Sequence, residues 1–213
     1  MGFDRIQVES PFIVSLDPKI KEFFTWLYEV SNDPNQPIEI PFFLLGHQIP
    51  VEGKNIILLE TFVHDTDNLK AYSARPSLTL VTWAMNLIRE HGYSVILHGH
   101  SHPVAIAPLE PGSERHYLTQ YLASIPREEL QYRTSGLNFS LADLYSVIHN
   151  YYMQANFERT GISGIYLPNG EFNILTYNEG YLSMVQEMFY DEGETLLPAK
   201  RFTLTKGGNY GKL

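Results

Sequence analysis

The apolar run Val95-Ile96-Leu97 passes without a break into His98-Gly99-His100-Ser101-His102-Pro103, and no other feature constrains the chain as much. The apolar part calls for a strand buried in a sheet, and successive side chains of a strand point to opposite faces. With extended backbone up to Pro103, all three imidazoles project from one face of the strand's end. Neutral imidazoles side by side suit a borderline-soft divalent metal such as zinc. The alternation leaves open which two of the three would ligate. A solvated loop with chance histidines is the plain alternative, and 8 His in 213 residues make so regular a cluster a poor accident.

The rest of the chain reads as a mixture of strands and helices. Residues 6–16 are β-type and interrupted at Ser10-Pro11. Asp17-Pro18 is a helix-start signal, and Ile20, Phe23, Phe24, Leu27 and Val30 keep helical spacing up to the turn formers of 31–37. Two apolar runs, 38–45 and 55–63, predict strands joined by a turn at Glu52-Gly53-Lys54. Residues 77–90 carry a broad apolar stripe with Gly92 placed as a C-terminal cap. Residues 141–157 read as a helix, 162–167 and 172–177 as a hairpin around Pro168-Asn169-Gly170-Glu171, 182–190 as a short helix and 202–205 as a last strand. One sheet with helices packed on its faces is the expected architecture, in the α/β or α+β class.

A catalytic zinc needs a third protein ligand and keeps a position for water. Carboxylates are the candidates. Asp143 lies in Ser140-Leu141-Ala142-Asp143, which on its own reads equally as a helix-capping variant. Glu39 is a charge within an apolar run, so it requires a partner, a purpose, or an edge position facing water.

Taken in order, these pieces resemble the signature of the JAMM (MPN) metalloproteases. That signature is a Glu, then His-Ser/Thr-His-Pro, then Ser-x-x-Asp; here it is matched by Glu39 (seven residues before Gly46), His100-Ser101-His102-Pro103, and Ser140 with Asp143. The resemblance covers residues 6–177. It implies a single MPN-like (cytidine-deaminase-like) α/β domain over 1–213, with a curved mixed β-sheet flanked by helices and a C-terminal extension at 178–213. By the same resemblance His100, His102 and Asp143 would ligate one Zn2+ per chain. Glu39 would be the general base, Ser140 would hydrogen-bond the developing oxyanion, and His98 would be structural. The implied activity is hydrolysis of a peptide or isopeptide bond in a protein or peptide conjugate, such as one at the C-terminus of a ubiquitin-like protein.

One departure from the family stands out. Seven residues normally separate the second His from the Ser, whereas 37 do so here, making 104–139 an insertion next to the active site. The competing third ligand is His116, within that stretch. Its apolar and aromatic residues, Tyr117, Leu118, Tyr121 and Leu122 among them, predict partial packing, a short helix near 114–123, and a wall or lid over the cleft.

Composition narrows the rest. Fifteen Lys+Arg against 24 Asp+Glu give a net charge of −9, which disfavours a nucleic-acid partner. The absence of cysteine removes disulfide scaffolds, thiolate zinc fingers and a cysteine nucleophile. No apolar run approaches the length of a membrane span and no signal-type stretch follows the N-terminus, so a cytoplasmic protein is expected. The rivals are a non-catalytic MPN-type scaffold and, more distantly, a metal-dependent phosphoesterase. The latter's further Asp-x-His, Gly-Asp and Gly-Asn-His-Glu motifs are missing here.

Overall fold

The structure, a computed structural model, describes residues 6–7, 12–33, 35, 38–51, 54–66, 69, 75–103, 143, 147, 161–178, 181–185, 187–192 and 195–198. In chain order the elements are β1 (Ile6–Gln7), β2 (Phe12–Leu16), α1 (Pro18–Ser31), β3 (Pro41–Val51), β4 (Lys54–His64), α2 (Leu78–His91), β5 (Val95–Ser101), β6 (Gly161–Tyr166), β7 (Phe172–Asn178), β8 (Tyr181–Met184), β9 (Glu187–Glu192) and β10 (Thr195–Pro198). The strands form one mixed sheet in the order β1-β8-β7-β6-β5-β3-β4-β2-β9-β10. Among the described residues this is a mixed α/β architecture.

Both helices start and stop where their caps dictate. Asp17 accepts the Lys19 amide at 3.0 Å, with Pro18 in the first turn of α1. Ser77 accepts the Leu80 amide at 3.0 Å, and α2 closes at Gly92, whose φ of +69° suits a residue without a Cβ. Neither helix is long and apolar enough to cross a membrane, among the described residues.

The two faces of the sheet bury separate cores. On one face α1 packs Ile20, Phe23, Phe24 and Leu27 against Phe42, Leu44, Val95 and Leu97. On the other, α2 packs Leu80, Ala84 and Ile88 against Leu45 and Ile96. Strand β5 therefore alternates between the two cores, and this phase carries on into the histidines. His98 and His100 continue the α2 side, whereas Gly99 and Ser101 continue the α1 side. A Cβ on Gly99 would come within 2.2 Å of the Phe42 ring, so only glycine lets that fully buried phenyl lie beneath the histidine strand.

Several expectations change. Residues 182–190 are not a helix; they form β8 and most of β9. The spacing of Leu182, Val185 and Met188 suits a helix locally, but pairing decides. Strand β8 completes the edges of β7 and β1, and β9 lies parallel to β2, where a helix would leave those backbone groups unpaired. Strand β3 runs past Gly46 to Val51, with a register shift against β4 at Leu45/Gly46. Of the expected helix at 141–157, Asp143 and Val147 are helical. The rest of it, the 104–139 insertion with the short helix expected there, and the expected strand at 202–205 lie outside the described residues.

The start of α2 is tied to the end of β4. The buried Asp65 carboxylate accepts the Ser77 amide at 2.8 Å and the Ser77 hydroxyl, while the Asp65 amide donates to the Pro41 carbonyl at 3.1 Å. Ser77→Ala removes both a cap and a bond to a charged group, and about 2–3 kcal/mol of stability is expected to disappear in urea titrations. A second expectation concerns alkali. Burial, reinforced for Tyr166 by neighbouring phenols, pushes Tyr166 and Tyr190 up to about 12. A folded-state pKa raised above the usual value of about 10 gives stability that is complete below pH ~10 and lost on the way to ~12. The urea midpoint should hold to about pH 9–10 and then fall, and a midpoint still level at pH 12 would contradict this.

Candidate metal centre

The candidate residues converge on the end of β5, which is held by a strand on each side. On one side β3 runs antiparallel, pairing Phe43 with His98 and Pro41 with His100. On the other, β6 runs parallel, pairing His98 with Ser163 and His100 with Ile165. The Ser163 hydroxyl donates to the His98 carbonyl at 2.8 Å, and the His102 amide donates to the Tyr166 carbonyl at 2.8 Å. The chain is thus still tied to β6 at His102, one residue past the end of β5.

At this end the side chains of His100, His102 and Asp143 meet. Their donor atoms all lie within 4.8 Å of one another. The two Nε2 atoms are 3.1 Å apart; Asp143 sets Oδ1 3.3 Å from His100 Nε2 and Oδ2 3.9 Å from His102 Nε2. Two imidazole lone pairs facing each other beside a carboxylate repel unless a proton or cation lies between them, so the donor set fits a metal ion. The choice that alternation left open falls on His100 and His102.

His98 takes another role. Its ring packs on Phe43 with centroids 5.3 Å apart, and burial, helped by neighbouring His100, lowers its pKa to about 4. It is neutral at physiological pH. Glu39 is buried at 7% exposure, which rules out the edge position facing water. Glu39 lies two residues before Pro41, which pairs with His100, so the alternation of an extended chain gives it the side of the sheet on which His100 lies. Ser140 and His116 lie outside the described residues. Sequence reasoning missed what supports the ligand strand, namely Ser163, the Tyr166 carbonyl and the room that Gly99 leaves for Phe42. Their signal was faint, since a parallel neighbour is remote in sequence and a spacer glycine looks like any other.

No family model matches the chain, and no curated protein matches it in sequence.

The geometry makes a direct expectation about metal binding. Wild type should retain one divalent ion per chain after dialysis. His100→Ala and Asp143→Ala should each lose it, because two remaining protein ligands hold such an ion weakly. His116→Ala should keep it. Metal analysis giving the reverse result for Asp143 and His116 would move the third ligand into the insertion.

Proposed function

We propose that this chain is a zinc-dependent peptidase or isopeptidase of the JAMM type, with an MPN-like fold. The observation that carries the reading is the meeting of His100 and His102 with Asp143, which is remote from them in sequence, in a chain whose buried Glu39 lies two residues before Pro41, the partner of His100. The choice of zinc rests on the donors. Ligands about 2.0–2.1 Å from a tetrahedral ion stand about 3.3 Å apart. The closest contacts here are 3.1 and 3.3 Å, in a set of two nitrogens and one carboxylate. Zinc in such a set supplies a Lewis acid and brings the pKa of a bound water down toward about 7.

The chain's own residues do the rest. His100, His102 and Asp143 would hold the ion. Glu39 takes a proton from the attacking water and passes it to the leaving amine, acting first as base and then as acid. Ser140 is assigned, from its place in the motif, the donor to the carbonyl oxygen as negative charge grows there. His98, neutral beside this centre, adds no cation to compete with the metal. The substrate class we assign is a peptide or isopeptide bond at the C-terminus of a ubiquitin-like protein.

The test pairs a substrate panel with one substitution. Isopeptide-linked and C-terminally extended ubiquitin-like proteins are incubated with zinc-loaded protein, and cleavage is followed by mass. Glu39→Gln should keep its zinc and lose about 10²–10⁴-fold in kcat. Full turnover by zinc-loaded Glu39→Gln would rule out the mechanism, and an inert wild type across the panel would rule out the substrate class.

A further inference from the structure

We propose that Ser101, between the two metal-binding histidines, is a positioning residue whose hydroxyl fixes the backbone next to Glu39; this rests on the peptidase reading above. Ser101 and Ile40 face each other across β5 and the segment leading into β3. The Ser101 amide donates to the Ile40 carbonyl at 3.1 Å. The return bond is made by the side chain: the Ile40 amide donates to Ser101 Oγ, also at 3.1 Å. Ser101 and Ile40 are both fully buried, so water cannot replace either partner. Ile40 adjoins Glu39 in the chain, and Ser101 adjoins both His100 and His102. One residue thus couples the metal-binding strand to the backbone that carries the general base.

The phase of the strand explains why a hydroxyl stands at this position. His100 and His102 point to the α2 side of the sheet, so residue 101 points to the α1 side, away from the metal. Its side chain is therefore too far round to touch substrate or metal, and its influence must pass through Ile40. An apolar side chain here would leave the Ile40 amide buried with no acceptor. The segment would then have to shift to satisfy that amide, and Glu39 would move with it. General-base catalysis depends steeply on placement, so a small displacement should slow turnover while leaving substrate binding and the metal in place.

The experiment uses full-length protein and three variants, Ser101→Ala, Ser101→Thr and Glu39→Gln, each checked for folding by circular dichroism and for zinc by metal analysis. Ser101→Ala should keep one zinc per chain and lose at least tenfold in kcat, with KM within about twofold. In the metal-free protein its Ile40 amide should exchange at least tenfold faster than in wild type, while the Leu97 and Ile165 amides keep their protection. Ser101→Thr retains the hydroxyl and should come within about threefold of wild type in both readouts. Unchanged kcat or unchanged Ile40 exchange in Ser101→Ala would overturn the proposal, as would an unprotected Ile40 amide in wild type. Loss of zinc from a folded Ser101→Ala would also overturn it, because the residue would then serve the ligands rather than the base. If Glu39→Gln turns over like wild type, it is the peptidase reading that fails, and Ile40 exchange alone decides whether the clamp exists.

Discussion

The antiparallel pairing of β3 with β5 is the contact on which the rest of the molecule depends. It determines which side chains share a face: with Pro41 opposite His100 and Phe43 opposite His98, the alternation of the chain gives Glu39, two residues before Pro41, that same face. A slip of one residue would send Glu39 and the histidines to opposite sides of the sheet. The core prevents that slip. Phe42, Leu44, Val95 and Leu97 must meet α1, and Leu45 and Ile96 must meet α2, so a one-residue slip would turn one strand's set toward the wrong core. The apolar core and the polar site are therefore specified by one ladder, and changes in the core near Gly99 and Phe42 reach the site through it.

The parallel pairing of β5 with β6 accounts for the other half of the site. Parallel neighbours cannot be joined by a tight turn; the chain must leave the sheet and cross back over a dozen or more residues. Asp143 belongs to this crossing between Ser101 and Gly161. A connection that is already obliged to be long can gain residues without moving its ends, because the cost of closing a loop rises only slowly with length. That is how 37 residues can separate His102 from Ser140 while Asp143 still reaches both imidazoles.

What the sequence made legible follows from how local each signal is. The helices α1 and α2 were readable because their caps, Asp17-Pro18, Ser77 and Gly92, lie within a few residues of the turns they close. The β6–β7 hairpin was readable from its turn, where Gly170 takes φ +81° and the Asn169 side chain accepts the Glu171 amide. Residues 182–190 were misread because their state depends on distant edges, those of β1, β7 and β2. Of the candidate site, the three alternating histidines were visible as a pattern, and the choice of His100, His102 and Asp143 came only through resemblance to a known motif. The supports from Ser163 and the Tyr166 carbonyl were invisible, since nothing within the hairpin shows which strand lies beside it.

The position of the candidate metal centre along β5 has its own physical logic. On extended backbone, alternate residues are about 6.6 Å apart, so a single ion is reached by neighbouring histidines and not by all three. Either His98 with His100, or His100 with His102, could serve. The strand passes from core to surface as it runs: Ile96 is buried against α2, His98 is held neutral by burial, and the side chains of His100 and His102 are 13% and 25% exposed. A site that could hold an ion open to exchange needs solvent on one side and a rigid shell on the other. Only the outer pair meets both conditions, and it is the pair that Asp143 approaches. His98 keeps the inner place, where desolvation keeps a positive charge from forming.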